Sequence, residues 1–401
     1  MTTTDEEQQT PPATEGLTVA NFMDSSLHDL EKKGVFESVH HIYNPGKVYK
    51  RVLHFSPHPD DLSLANKLSI HGIELYTHQA AGLNPIKICL AILRIWLFIR
   101  RENVDLVRGR LPYLGSFVSV LAARLSKRPF VVSLGGDNRI VQERNRQYNY
   151  NSKLISYLME WFVLRLADVI IVPNRFTGEY VSRIITPQRA EAKCIRIPWI
   201  SPETPVALTS ESCEAEKDPS EPLILVVGFL NRYKYTDIIF ELVSEVIQDS
   251  TLLAHKANFT FCGDGELLKE GLQRFDQRAN ISFLGWTENS EVKALMSKAD
   301  IVLVPMSGFV LLEAAELGKS VIASNVEWHS ELVEDGVTGL LVDPLLVSQW
   351  TAAIETLLSD PANAKQMGTS LSQRYEMEYS PKICAARELE LYQKLVEDCR
   401  I

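Results

Sequence analysis

Cysteine is sparse and unpaired: Cys89, Cys194, Cys213, Cys262, Cys384 and Cys399 are scattered, with no CxxC among them. That pattern speaks against a disulfide framework and for reduced thiols in a cytoplasmic protein. Positive charge is also in short supply. A formal net charge of −10 leaves no general basic surface for nucleic acid, which must displace counterions to bind. Long apolar runs are missing too. The most apolar stretch, "IKICLAILRIWLFI" at 86–99, is 14 residues long and contains Lys87 and Arg94, too short and too charged to span a bilayer. Followed by Arg100 and Arg101, the segment 86–101 has the make-up of a helix that could lie on a membrane surface. The simpler expectation is a core-facing helix feeding the next strand. The start, "MTTTDEEQQTPPATEG", has no basic or apolar region and does not read as a secretory signal; residues 1–22 read as a disordered tail.

What is present is alternation. Apolar residues make up 45% and charged residues 23% of 401, a globular composition long enough for two domains. From "RVLHFS" onward, short β-branched runs alternate with helical patterns through "IELYTH", "VDLVRG", "PFVVSLGG" and "DVIIVPN". A segment rich in Pro, Ser and Glu, "SPETPVALTSESCEAEKDPSEP", breaks the rhythm at 201–222. The alternation then restarts with "LILVVGF", "NFTFCGDG", "ISFLGW", "DIVLVP" and "SVIASN". This predicts an α/β architecture of two Rossmann-like domains, 23–200 and 223–380, joined by the 201–222 linker. A helix at 381–401 closes the chain and could pack back toward the first domain. Ligands of such sheets sit beyond the carboxyl ends of the strands, so the βα-loops are the site candidates.

One of those loops suggests a metal. "HFSPHPDD", 54–61, puts an imidazole, a rigid turn and two adjacent carboxylates together, a run also found in zinc-dependent de-N-acetylases. Such a site needs a further histidine downstream, often paired. Beyond His78 the chain offers only His255 and His329, isolated, and Leu62 stands where a glutamate is expected. The expectation is therefore no metal. Asp60 or Asp61 then caps the following helix, and His58, Asp60 and Asp61 line a crevice loop.

Three loops in the second half are rich in glycine. In "VVGFLNRYKYTD", 226–237, Gly228 frees the backbone while Arg232 and Lys234 set two cations ahead of a helix, an arrangement suited to a diphosphate. In "FTFCGDGELL", 259–268, Gly263 and Gly265 allow a sharp turn and Asp264 can cap a helix. In "VPMSGFVLLEAAELGKSVIAS", 304–324, Ser307 and Gly308 open a helix whose free amides suit an anion. Glu313 lies one turn inside, where a carboxylate can accept hydrogen bonds from ribose hydroxyls, or simply offset the dipole. Glu316 reads as solvent-facing.

The order "VVGFLNRYK…D", "CGDGEL", "ISFLGW", "ADIVLVP", "GFVLLEAAELGKSVIAS" and "ELVEDGVTGLLVDP" resembles the donor half of the family 4 retaining glycosyltransferases (glycosyl transferases group 1), which have the GT-B fold. The resemblance covers 222–360 well and the first domain more loosely. It implies transfer of a sugar from a nucleotide-sugar (a UDP- or GDP-sugar) to an acceptor hydroxyl on a glycan, lipid or small molecule, with no required cofactor. It implies that Lys234, with Arg232, meets the diphosphate and that Glu313 holds the donor ribose. It places the backbone of Gly308, Phe309, Val310 and Leu311 at the diphosphate, and that of Leu284 to Trp286 at the base. Gly228, Gly263, Asp264 and Ser307 complete the donor side. Asp137 joins Lys234 and Arg232 in the catalytic group, and Gly135, Gly136, Asn138 and Arg139 join His58, Asp60 and Asp61 on the acceptor side.

Four positions depart from the family. Pro305 stands where its first glutamate would be, Phe229 where an arginine follows the first glycine, "SPHPDD" where a glycine-rich loop follows the first strand, and "PWIS" in place of an Asn-Gly turn. These departures motivate two alternatives: a catalytically inactive nucleotide-sugar-binding scaffold, and a nucleotide-sugar epimerase.

Overall fold

In the computed structural model, residues 16–32, 36, 39–78, 84–136, 153–199, 221–306 and 308–400 are described. The first half contains strands β1 (Thr18–Met23), β2 (Arg51–Ser56), β3 (Ile73–Thr77), β4 (Leu106–Arg110), β5 (Phe130–Ser133), β6 (Val169–Val172) and β7 (Cys194–Arg196). Its helices are α1 (Leu27–Lys32), α2 (Val39–Tyr43), α3 (Ala65–Ser69), α4 (Pro85–Arg101), α5 (Leu114–Ser126), α6 (Lys153–Leu166), α7 (Arg175–Ile185) and α8 (Pro187–Lys193). The second half contains β8 (Leu223–Val227), β9 (Asn258–Cys262), β10 (Ile281–Gly285), β11 (Ile301–Val304), β12 (Ser320–Ser324) and β13 (Leu340–Val342). With them run α9 (Thr236–Gln248), α10 (Leu268–Arg274), α11 (Asn289–Lys298), α12 (Phe309–Glu316), α13 (His329–Leu332), α14 (Val347–Ser359), α15 (Pro361–Glu378) and α16 (Pro381–Arg400).

Among the described residues the strands form two parallel sheets, ordered β3-β2-β1-β4-β5-β6-β7 and β10-β9-β8-β11-β12-β13. Each order reverses once, between β1 and β4 in the first sheet and between β8 and β11 in the second. Those reversals leave crevices at the carboxyl ends of the strands, where ligands of doubly wound sheets bind. Helices cover both faces, because parallel strands buried on both sides must be enclosed. In the first sheet α4, α5, α6 and α7 pack one face; α1, α3 and α16 pack the other.

Residues 18–22 are not a tail. They belong to β1, a central strand that pairs with β2 and β4 and is buried along five of its six positions. The strand was hard to read because polar Asn21 interrupts its apolar run. Asn21 is tolerated in the core because its amide meets His54 Nδ1 at 2.7 Å and its carbonyl accepts from Arg108 Nε at 2.9 Å. "RVLHFS" is therefore the second strand, not the first. The predicted helix after it is a 3₁₀ turn, Pro59–Leu64, running into the short α3.

The closing helix α16 belongs physically to the first domain's core. Its Tyr392 and Val396 join the cluster under β1, β2 and β4, and its Glu388 accepts hydrogen bonds from Arg108 Nη1 (2.6 Å) and Tyr49 Oη (2.7 Å). Helix α4 does feed β4, with Ala91, Ile95 and Ile99 buried. A second apolar stripe on the same helix remains in solvent. The linker segment 201–220 lies outside the described residues.

Candidate active site

Contacts between the domains join carboxyl ends of strands. Trp199, just past β7, packs within 3.1 Å of where a side chain at Gly308 would begin, and edge-on against Trp328. The amide of Arg175, just past β6, donates to Glu331 at 2.7 Å, and the Arg196 guanidinium meets the same carboxylate at 3.4 Å. The loops after β6 and β7 thus meet the segments after β11 and β12.

On the second domain's side, the loop after β8 is built by Asn231. Its side chain accepts from the Lys234 amide at 2.9 Å and caps the 3₁₀ turn Arg232–Lys234. Lys234 is half-buried, its ammonium 5.4 Å over the Tyr233 ring. Arg232 is more exposed, its guanidinium on Asp237 at 3.1 Å with Glu270 at 3.9 Å. The glycines lace neighbouring loops together. Gly228 N–H donates to Cys262 O, and Gly263 N–H to Gly285 O. At φ +149° and +156°, Gly263 and Gly265 are in backbone that L-residues avoid, and a Cβ would sit 1.8 Å from Gly228 O and 2.4 Å from Leu230 O. Asp264 caps no helix. Its carboxylate accepts from the next amide, Gly265, and among the described residues α10 starts without a side-chain cap. Phe229, Leu284 and Trp286 are exposed apolar side chains at the ends of β8 and β10.

Helix α12 starts at Phe309 with no side-chain cap, so the first-turn amides of Phe309, Val310 and Leu311 have no side-chain acceptor among the described residues. Glu313 is buried, and that burial pushes its carboxyl up to about 7; Lys293 opposes the shift and Glu316 adds to it. Glu316, expected to face solvent, is only half-exposed: it binds the buried ammonium of Lys293 at 3.0 Å. Lys293 lies on α11, and only packing brings it to α12. Pro305, where the family has a glutamate, is buried, and its carbonyl accepts from the Ser324 hydroxyl. Ser307 lies outside the described residues.

On the first domain's side the "HFSPHPDD" motif is divided. His54 is fully buried, stacked on Tyr43 at 4.4 Å and held down to about 3 by burial and by Arg108 and Arg110. Asp61 is buried as well. It accepts from Leu27 N–H (2.9 Å), Ser26 Oγ (2.9 Å) and Ser56 Oγ (2.6 Å), so it caps α1 across the sheet edge rather than its own helix. Burial raises the Asp61 carboxyl, but these hydrogen bonds outweigh it and hold the group below the usual range. His58 and Asp60 face outward. Among the described residues no three His, Cys, Asp or Glu side chains come together as a metal-binding group. Gly135 and Gly136 lie just past the end of β5; Asp137, Asn138 and Arg139 lie outside the described residues.

Asp24 was missed, because β1 was. It follows β1 at the switch point and accepts from the Gly115 amide at the start of α5 at 2.8 Å. Its Oδ2 is buried without a hydrogen-bond partner, and burial pushes the carboxyl up to about 6, against the hydrogen bond from Gly115 and the nearby His58. No local signal marks this residue; only the sheet order does.

Two parallel sheets, each reversing its strand order once and meeting through loops at their carboxyl ends, define the architecture of this protein: it has the GT-B fold. Residues 210–374 match the family described as glycosyl transferases group 1, so the second half of the chain carries that domain. The chain is 21% identical over 372 residues to the alpha-D-kanosaminyltransferase of Streptomyces kanamyceticus, covering 86% of this chain and 95% of that one. Its fold is similar to that of Anabaena Alr3699/HepE, solved in complex with UDP (TM-score 0.69, 14% identity, 95% of this chain and all of that one). It is equally similar to sucrose-phosphate synthase from Thermosynechococcus elongatus (TM-score 0.69, 18% identity, 95% and 100% covered).

Proposed function

We propose that this chain is a family 4-type retaining glycosyltransferase that moves a sugar from a UDP- or GDP-sugar to an acceptor hydroxyl. The observation that carries this reading is Glu313, a buried carboxylate one turn inside a helix whose first amides have no side-chain cap among the described residues. An anion at the helix start would meet those amides, and two ribose hydroxyls would add to the hydrogen bond that Glu313 already has from Asn289. The leaving diphosphate is stabilised by Lys234 and the α12 amides, with Arg232 at the rim. Approach of the two domains excludes water from the donor. The relatives support this reading, since one is named as a glycosyltransferase and one was solved with UDP. The test is incubation with a panel of UDP- and GDP-sugars and a broad acceptor set, read by product mass and by the anomeric configuration of the product. Tight donor binding with neither transfer nor hydrolysis would favour the inert scaffold that buried Pro305 suggests. Turnover of a donor without any acceptor would favour an epimerase.

Glu313 gives the reading a pH signature. Its carboxyl titrates near 7, and ribose hydroxyls donate to the ionised form, so donor binding releases a proton. The anion is roughly one tenth populated at pH 6 and nine tenths at pH 8. Donor affinity is therefore expected to tighten by about ten-fold from pH 6 to pH 8. Glu313→Gln should bind the donor more weakly at pH 8 and show little of this slope. An equal slope in the variant, measured by calorimetry, would remove Glu313 from the donor site.

A further inference from the structure

The stripe that α4 leaves in solvent is Ile86, Leu90, Leu93 and Leu97, exposed by 71%, 45%, 48% and 52%. Their spacing of four, three and four keeps them on one side of the helix, apart from the buried Ala91, Ile95 and Ile99. Helix α5 packs between α4 and α6, and beyond it Leu158, Trp161 and Phe162 of α6 are exposed on the same face of the sheet. Single exposed apolar residues need no explanation, but a stripe of four along one helix marks a contact surface.

Charge says which contact. Residues 84–101 carry Lys87, Arg94, Arg100 and Arg101 and no acid, in a chain of net charge −10; of these cations Arg101 is paired with the next residue, Glu102, at 3.0 Å. On α6 the one acid, Glu160, points inward to Tyr180. Arg100 lies 5.5 Å over the Trp96 ring and Arg165 5.1 Å over Trp161, aromatic–cation pairs that suit the boundary between headgroups and acyl chains. No helix among the described residues is long and apolar enough to cross a membrane. We propose that the α4–α6 face seats this protein on the surface of an anionic lipid bilayer. Helix α4 also walls a cavity of about 380 Å³ that reaches Thr77 and His78 at the carboxyl end of β3. A hydroxyl presented at the bilayer surface would arrive on the acceptor side, so the acceptor is borne on a lipid. That last step rests on the transferase reading; the docking does not.

The full chain is to be floated with phosphatidylcholine vesicles, with and without phosphatidylglycerol. Binding is expected only to the anionic vesicles, weakening as salt rises. Leu90→Gln/Leu93→Gln/Leu97→Gln alters only exposed positions and is expected to lower vesicle binding at least about ten-fold with an unchanged circular dichroism spectrum. Absence of native binding, or equal binding by the triple variant, overturns the proposal. So does a native dimer in sedimentation that the triple variant abolishes, which would assign the face to a second copy. Vesicle binding by a chain that transfers no sugar would leave the docking standing and remove the transferase reading alone.

Discussion

Replacing Lys234 by alanine is expected to lower turnover by roughly 10²–10³-fold, the usual effect of removing one preorganised donor from a developing anion. The hard step in glycosyl transfer is departure of a nucleoside diphosphate, so a cation there acts mainly on the transition state and should change donor affinity far less. The structure gives Lys234 a fixed base. Its amide is held by Asn231, its ammonium lies over Tyr233, and the loop is braced from behind by Gly263 and Gly265. Arg232 is the contrast. Exposed and paired with Asp237, it is expected to lose less than about ten-fold on replacement by alanine, since exposed ion pairs contribute little. Steady-state kinetics with the donor identified by the panel decides the matter. Wild-type turnover in Lys234→Ala would end the assignment of this loop to the diphosphate.

The second large effect is on stability. Glu388→Ala strips Arg108 of its carboxylate partner in the middle of the first domain, where the Arg108 side chain is wholly buried and that of Glu388 6% exposed. Breaking a buried pair in this way is expected to cost about 3–5 kcal/mol, because a desolvated charge is left behind. Arg108 also donates to Asn21 and to the Tyr43 carbonyl, so the side chain cannot swing out to water without disturbing β1 and α2. Glu388→Gln keeps an acceptor for Arg108 and Tyr49 and should lose less. Urea unfolding followed through near-ultraviolet circular dichroism measures both. A loss under about 1 kcal/mol for the alanine variant would show that α16 is not a working part of the first domain.

Much of the second domain was legible because its signals are local. Gly228, Gly263 and Gly265 announce tight strand ends, "ADIVLVP" is a continuous apolar run, and Glu313 falls at a fixed offset from a helix start. The first domain was less legible where its core is polar. Asn21, His54, Arg108 and Glu388 lie far apart in the chain, and each looks like a surface residue until its partners are known. β1 was lost for that reason, and Asp24 with it. The "HFSPHPDD" motif misled in the opposite direction: four polar residues close in sequence part company at the strand end, with His54 and Asp61 turned inward and His58 and Asp60 outward.

The sequence by itself determined the class of fold, the two repeating α/β halves and the order of the glycine loops, because hydrophobic periodicity and backbone freedom are written residue by residue. It also carried the group 1 resemblance, whose motifs are local turns. Only the tertiary structure decided that residues 18–23 are a central strand, that Glu316 is bound to Lys293, that α16 completes the first domain, and that one apolar stripe of α4 stays exposed. Those outcomes depend on which buried polar groups find partners and which apolar stripes find a neighbour. Both are properties of packing between distant segments, and periodicity along the chain carries no information about them.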